Sequence, residues 1–186
     1  MPYTVLTQHV AATPIAVVRR RAAAGQLSTV VPEGCGTVWK ALKALGVTGA
    51  GRHVAVYRCE PGGMIDVEVG AEVREPFDGG GEVVCSATPA GEVATVTHFG
   101  PYGQLGAAHR AVRDWCAANG RTASGENWEV YGHWLAAWDR DPAAIRTDVF
   151  YLLKNRPCSA ASAAGRAWKA GARGRRDAAP SNRARL

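Results

Sequence analysis

Apolar residues recur along this chain in two rhythms, one of period two and one close to 3.6. Residues 93–97 form a short apolar-rich run, followed by the turn sequence His98-Phe99-Gly100-Pro101-Tyr102. Leu105, Ala108, Val112, Trp115 and Cys116 then recur at the spacing of one helix face. This predicts a helix over residues 104–119, opened by Gly100-Pro101 and closed by Asn119-Gly120. Strands are expected at 127–134 and 148–153. The earlier part of the chain has the same order: a strand at 15–21, a helix over 35–45 with the stripe Cys35, Val38, Leu42 and Leu45, and strands at 52–59 and 65–73. Val54-Ala55-Val56-Tyr57 is continuously apolar, as a central strand would be. Asp66-Val67-Glu68-Val69 alternates, as a half-exposed strand would. Residues 4–10 and 82–87 read as edge or hairpin strands.

The two passages are copies. A shift of 74 positions places Val38 on Val112, Gly46 on Gly120, Val56 on Val130 and Tyr57 on Tyr131. Asp66-Val67 and Asp148-Val149 also coincide once eight extra residues around 137–146 are allowed for. The expected fold is therefore α+β: a tandem βαββ repeat, with halves at about 3–76 and 80–154 related by a pseudo-twofold axis. The halves would join into one antiparallel sheet carrying two helices. A groove along the axis is the natural place for a ligand.

Composition changes little in this picture, but charge sharpens it. The net charge is +6. Residues 156–186 carry 8 basic and 1 acidic side chains, or +7, leaving 14 basic and 15 acidic, or −1, for the rest. The body is nearly neutral, so specific nucleic-acid binding is not expected of it. The tail from 155 to 186, rich in Ala, Gly, Ser and Arg, reads as disordered and as a nonspecific partner for anions at most. No run has the length of a membrane span, and no leader is recognisable. Five cysteines, Cys35, Cys59, Cys85, Cys116 and Cys158, form no C-x-x-C pair. Thiols in a reducing cytoplasm are expected, with no metal and no cofactor. No Ser-His-Asp order or phosphate loop is present, and Gly79-Gly80-Gly81 reads as a turn.

The chemistry gathers in the strand Trp128-Glu129-Val130-Tyr131, which sets one carboxylate among large aromatics. Such an acid needs a cationic or hydrogen-bonding partner. Alternation puts Glu129, Tyr131 and His133 on one face and Trp128, Val130 and Trp134 on the other. Tyr57 is the repeat-mate of Tyr131, whereas Ala55 is the repeat-mate of Glu129, so the groove carries its acid on one side only. Two readings of Glu129 stand side by side: a ligand-facing carboxylate, or a strand residue solvated or paired internally with an arginine. Trp39 and Trp115 are core or groove-wall residues; Trp134 and Trp138 are lid or sheet-end residues. Tyr102 opens the helix. His98, His109 and His133 read as polar surface or local hydrogen-bonding residues, and Glu68 as a second, weaker candidate acid.

In these residues the chain resembles the GyrI-like small-molecule-binding family, which includes the effector domains of AraC-type and BmrR-type regulators. The resemblance rests on Thr97-His98-Phe99-Gly100-Pro101-Tyr102 before a helix, on Trp115, on Trp128-Glu129-Val130-Tyr131, and on Thr147-Asp148-Val149-Phe150. Val56-Tyr57 and residues 65–70 of the first half add to it. It implies a ligand groove for lipophilic, often cationic or aromatic compounds, with the family's acid falling on Glu129. Phe150 stands where the family usually has Tyr, which removes a hydroxyl expected there. The expected ligand set is Glu129, Tyr131, Tyr57, Trp39, Trp115, Phe150 and Trp134. With no DNA-binding segment in view, a stand-alone binder is expected. Two other uses remain open: hydrolysis of strained, cyclopropane-bearing compounds with Glu129 and Tyr131 in acid–base roles, and topoisomerase inhibition through a protein contact.

Overall fold

A computed structural model describes residues 3–59, 63–133 and 135–155. Eight strands form one antiparallel sheet: β1 (Leu6–Val10), β2 (Pro14–Ala23), β3 (His53–Cys59), β4 (Met64–Glu72), β5 (Val84–Ala87), β6 (Gly91–Phe99), β7 (Ala123–Tyr131) and β8 (Arg146–Leu153). Helix α1 (Leu27–Ala44) links β2 to β3, and α2 (Leu105–Ala118) links β6 to β7. The order across the sheet is β1-β6-β8-β7-β3-β4-β2-β5. Each half is thus a βαββ unit, and the halves meet at β3 and β7.

The register at that seam locates the axis. Val54 pairs with Val130, Ala55 with Glu129 and Val56 with Trp128. Ala55 and Glu129 are also separated by the repeat offset (129 − 55 = 74), so this cross-strand pair joins repeat-mates. The pseudo-twofold axis passes between them.

The edge strands are exchanged. β1 precedes the first half but pairs with β6, and β5 precedes the second half but pairs with β2. In a flat sheet β1 and β2 would be six strand spacings apart, about 29 Å. The chain from Val10 to Pro14 spans at most about 14 Å. The sheet is therefore strongly curled. The two linkers meet, the Thr88 amide donating to the Thr13 carbonyl at 3.0 Å and the Thr13 amide to Thr88 Oγ1 at 2.9 Å.

Curling gives the sheet two cores. On the inner face Ile15, Val17, Val54, Val56, Val93, Trp128 and Val130 are buried, and Trp128 stacks on Phe150 at 5.1 Å. On the outer face both helices pack, with Val38 and Leu42 of α1 and Leu105, Ala108, Val112 and Cys116 of α2 against Val69, Val96 and Val149. Both helices end alike. Gly46 and Gly120, themselves repeat-mates, take φ of 68° and 59°. Val47 N–H then reaches back to the Leu42 carbonyl, and Arg121 N–H to that of Cys116.

Three expectations need adjustment. Helix α1 begins at Leu27 rather than at 35, because Pro32 and Gly34 read as breakers. Yet a Cβ on Gly34 would meet Val69 Cβ at 2.9 Å, so the missing side chain is what lets the helix lie against β4. Strand β7 ends at Tyr131; the chain then turns under Trp138, whose ring is 2.7 Å from where a Gly132 Cβ would stand. Phe150 lies on the inner face with Trp128, and so opposite Glu129, because β8 pairs Val149 with Glu129 and Phe150 with Trp128. Residues 156–186 of the expected tail and Trp134 lie outside the described residues. Among the described residues, no helix is long and apolar enough to cross a membrane.

Candidate functional site

On the outer face, between the two helices, side chains from β3, β7, β8 and α2 converge on Glu129, which is 6% exposed. Strand alternation places Tyr131 two residues on along β7, and Tyr57 at the symmetric place on β3. Tyr57 donates its hydroxyl to Glu129 Oε2 at 2.8 Å. Tyr131 donates to the same oxygen in a short hydrogen bond. The two hydroxyls are 3.3 Å apart. Helix α2 supplies the third partner, His109, with Nε2 2.7 Å from Glu129 Oε1.

The network continues outward in one direction. His109 Nδ1 is 2.9 Å from the Tyr151 hydroxyl, and the exposed Arg113 donates to that hydroxyl at 3.1 Å. Arg113 can only donate. When the imidazole is neutral with its proton on Nε2, facing Glu129, the Tyr151 hydroxyl donates to Nδ1; when it is imidazolium, the same hydroxyl accepts from both Nδ1 and Arg113.

Electrostatics agree with an ionised acid. Burial, the largest single influence, pushes the Glu129 carboxyl up, but the His109 hydrogen bond, the attraction of His109 when it is protonated, and the two tyrosine hydroxyls together hold it below the ordinary value. Burial first, and the Glu129 charge second, push Tyr57 and Tyr131 well above the ordinary phenol, so both remain neutral donors. Tyr151 is also raised, chiefly by burial. Cys35 is the repeat-mate of His109 (109 − 35 = 74), and its thiol is pushed up to about 11 by burial. Tyr102, on the turn before α2, stands edge-on to Tyr131 with ring centroids 5.6 Å apart, and is 43% exposed. Thr147, paired with Tyr131 in register, has a buried hydroxyl without a partner among the described residues.

Of the expected ligand set, the structure gathers Glu129, Tyr131 and Tyr57. Trp115 packs part-buried into the helix–sheet core. Trp39, 51% exposed, stands edge-on to His53 at the far end of β3. Phe150 lies on the face of the sheet opposite Glu129, stacked on Trp128, and its neighbour Tyr151 turns its hydroxyl to His109. Sequence reasoning missed His109 and Tyr151. The signal for His109 was its place beside the buried stripe of α2, between Ala108 and Val112. His98 holds the turn into α2, with Tyr3 Oη 2.7 Å from Nδ1 and the Pro101 carbonyl 3.4 Å from Nε2.

A cavity of about 600 Å³ lies elsewhere, lined by Arg19, Arg21, Arg58, Glu68 and Ser86 among others. Its charges are mutually satisfied: Glu68 accepts from Arg19, Arg58 and Ser86, and Arg58 also reaches Glu126. These bonds and charges hold the Glu68 carboxyl below its ordinary value against burial, which is the largest influence and acts upward. That hollow is a closed ion-pair network. The cluster around Glu129, with its perturbed phenols and aromatic rim, is the better candidate for a functional site.

The tandem βαββ sheet with both helices on one face is the fold of a class of small-molecule-binding domains. The chain belongs to the GyrI-like small molecule binding domain family, matched over residues 8–154. The C-terminal domain of EcmrR has a similar fold, with a TM-score of 0.66 at 18% identity, covering 84% of this chain and 100% of that one. SAV2435 bound to tetraphenylphosphonium is similar at a TM-score of 0.59 and 9% identity, covering 83% of this chain and 94% of that one. A hydrolase from Listeria innocua is similar at 0.52 and 9% identity, covering 82% and 93%. A search of curated protein sequences returned no match.

Proposed function

We propose that this domain binds hydrophobic, planar and frequently cationic small molecules at Glu129, as a polyspecific multidrug sensor or sequestering protein of the cytoplasm. The supporting observation is a nearly fully buried carboxylate on the symmetry axis, held by the hydroxyls of Tyr57 and Tyr131 and by His109, with Tyr102 edge-on to Tyr131. A delocalised cation placed there gains Coulomb energy from Glu129, and the rings of Tyr57, Tyr131 and Tyr102 add cation–π and stacking contacts of about 0.5–2 kcal/mol each. Rings tolerate many ligand shapes. Tyr102 is the exposed member and the entry: displacing it uncovers Tyr131. The fold-level likeness to a protein bound to tetraphenylphosphonium agrees with this ligand class.

The hydrolase alternative draws on a fold neighbour described as a hydrolase and on the Glu129–His109 pair. A carboxyl held below its ordinary value is a weak base and is not protonated at neutral pH, so the geometry favours charge recognition over proton transfer. Titrating Trp fluorescence with tetraphenylphosphonium and with neutral triphenylphosphine oxide tests the reading. Glu129→Gln is expected to weaken the cation on the order of 30-fold or more and the neutral compound by about twofold at most. Equal losses for both would refute a charge-based site. Recovery of a hydrolysed product from an electrophilic ligand would establish the alternative.

A further inference from the structure

Glu129 already has a side chain beside it that can become a cation. We propose that His109 is the charge switch of the site: as neutral imidazole it orients Glu129 and leaves the negative charge to a cationic ligand, and as imidazolium it neutralises that charge itself and leaves a site for neutral aromatic ligands. The inference rests on the binding role proposed for Glu129.

The geometry is specific. One ring nitrogen of His109 is 2.7 Å from Glu129 Oε1, and the other is 2.9 Å from the Tyr151 hydroxyl. Imidazole is the side chain that ordinarily changes charge between about pH 5 and 8. Its second proton must go on Nδ1. There it meets the Tyr151 hydroxyl, which has to turn from donor to acceptor while Arg113 also donates to it. The groups gathered around this equilibrium are Glu129 and Tyr131 from β7, Tyr151 from β8, Tyr57 from β3, and Arg113 on the same helix. Cys35 of α1, across the axis, is held neutral by burial. Tyr57 and Tyr131 are pushed above the ordinary phenol and the carboxyl is held below its ordinary value, and the imidazole is the side chain here that ordinarily changes charge near neutrality. The first half has no equivalent switch, because its repeat-mates at these places are Cys35, Ala55 and Trp39.

The sign follows directly. At high pH the pair carries −1 and attracts cations; as pH falls and His109 gains a proton, the pair becomes neutral and cation affinity falls. The test is Trp-fluorescence titration of the full chain with tetraphenylphosphonium and triphenylphosphine oxide at pH 8.5 and 5.5. Wild type is expected to lose about tenfold or more of its cation affinity at the lower pH, with the neutral probe changing by about twofold or less. His109→Gln keeps a donor for Glu129 but cannot gain a proton, so its cation affinity, whatever its value at pH 8.5, should change by about twofold or less between pH 8.5 and 5.5. Tyr151→Phe removes the hydroxyl that Nδ1 meets in either protonation state, so the midpoint of the cation-affinity profile should move away from that of wild type. If His109→Gln retains the wild-type pH dependence, or if both probes weaken together in wild type, the switch is overturned. Should His109→Gln fail to fold, the Tyr151→Phe midpoint decides, and an unmoved midpoint overturns the proposal. Cation binding that is lost in Glu129→Gln yet indifferent to pH would sink the switch alone; no cation binding at pH 8.5 would sink both it and the binding role beneath it.

Discussion

The two halves of this molecule have the same strands, the same helix and the same helix-ending glycine, yet opposite chemistry where they meet. The second half contributes His109, Arg113 and Glu129; at the same places the first half has Cys35, Trp39 and Ala55. Tyr151 corresponds to Val69 once the eight extra residues are allowed for. Of the polar groups around Glu129, the tyrosine pair, Tyr57 and Tyr131, is kept on both sides. A symmetric scaffold delivers two hydroxyls to one point, and a single carboxylate takes that point because its mate is an alanine. The comparison teaches that symmetry here supplies donors, and that breaking the symmetry supplies the charge.

Restoring the symmetry should do the most damage. Ala55→Glu would set a second buried carboxylate directly opposite Glu129 in the central pair. We expect a loss of about 3–5 kcal/mol in urea denaturation at neutral pH. The like charge raises the folded-state value of one acid, so that acid contributes stability as pH falls through it, and the penalty should shrink in acid. A penalty that grows in acid would mean the two carboxyls do not face each other.

A smaller effect is expected where the first half differs in packing. Gly34 lies against Val69 and Val18, and a methyl group there would force α1 outward. Gly34→Ala should destabilise by about 1–3 kcal/mol despite its better helix propensity. If thermal denaturation shows a gain in stability, the close approach of α1 to the sheet is wrong. The smallest effect is expected of Phe150→Tyr, which restores the hydroxyl usual in the family but on the inner face. Its affinity for tetraphenylphosphonium should stay within about twofold of wild type by fluorescence titration. A tenfold change would place residue 150 at the ligand after all.

Much of the fold was readable before any coordinates, because the repeat offset and the two apolar stripes fix the order of elements. The offset also brought Tyr57, Tyr131 and Glu129 to one place. Three features were not legible for definite reasons. β8 is apolar on both faces, Val149, Tyr151 and Leu153 on one and Phe150 and Leu152 on the other, so period-two alternation cannot tell which of them shares a face with Glu129. His109 sits at the edge of a helix stripe whose buried members are apolar, and nothing local in the sequence marks its carboxylate partner on β7. The start of α1 was hidden because Pro32 and Gly34 look like breakers until the neighbouring Val69 is known.

The crossing of the linkers at Thr13 and Thr88 has a consequence for how the protein must assemble. A break between β4 and β5 would leave each fragment holding the margin that its counterpart lacks: β1 with the first, β5 with the second. Neither fragment could finish its own sheet, and each could finish the other's. The duplicated gene segments therefore encode one cooperative object rather than two tethered ones. Its folding must wait for contacts between distant parts of the chain, and such contacts form slowly.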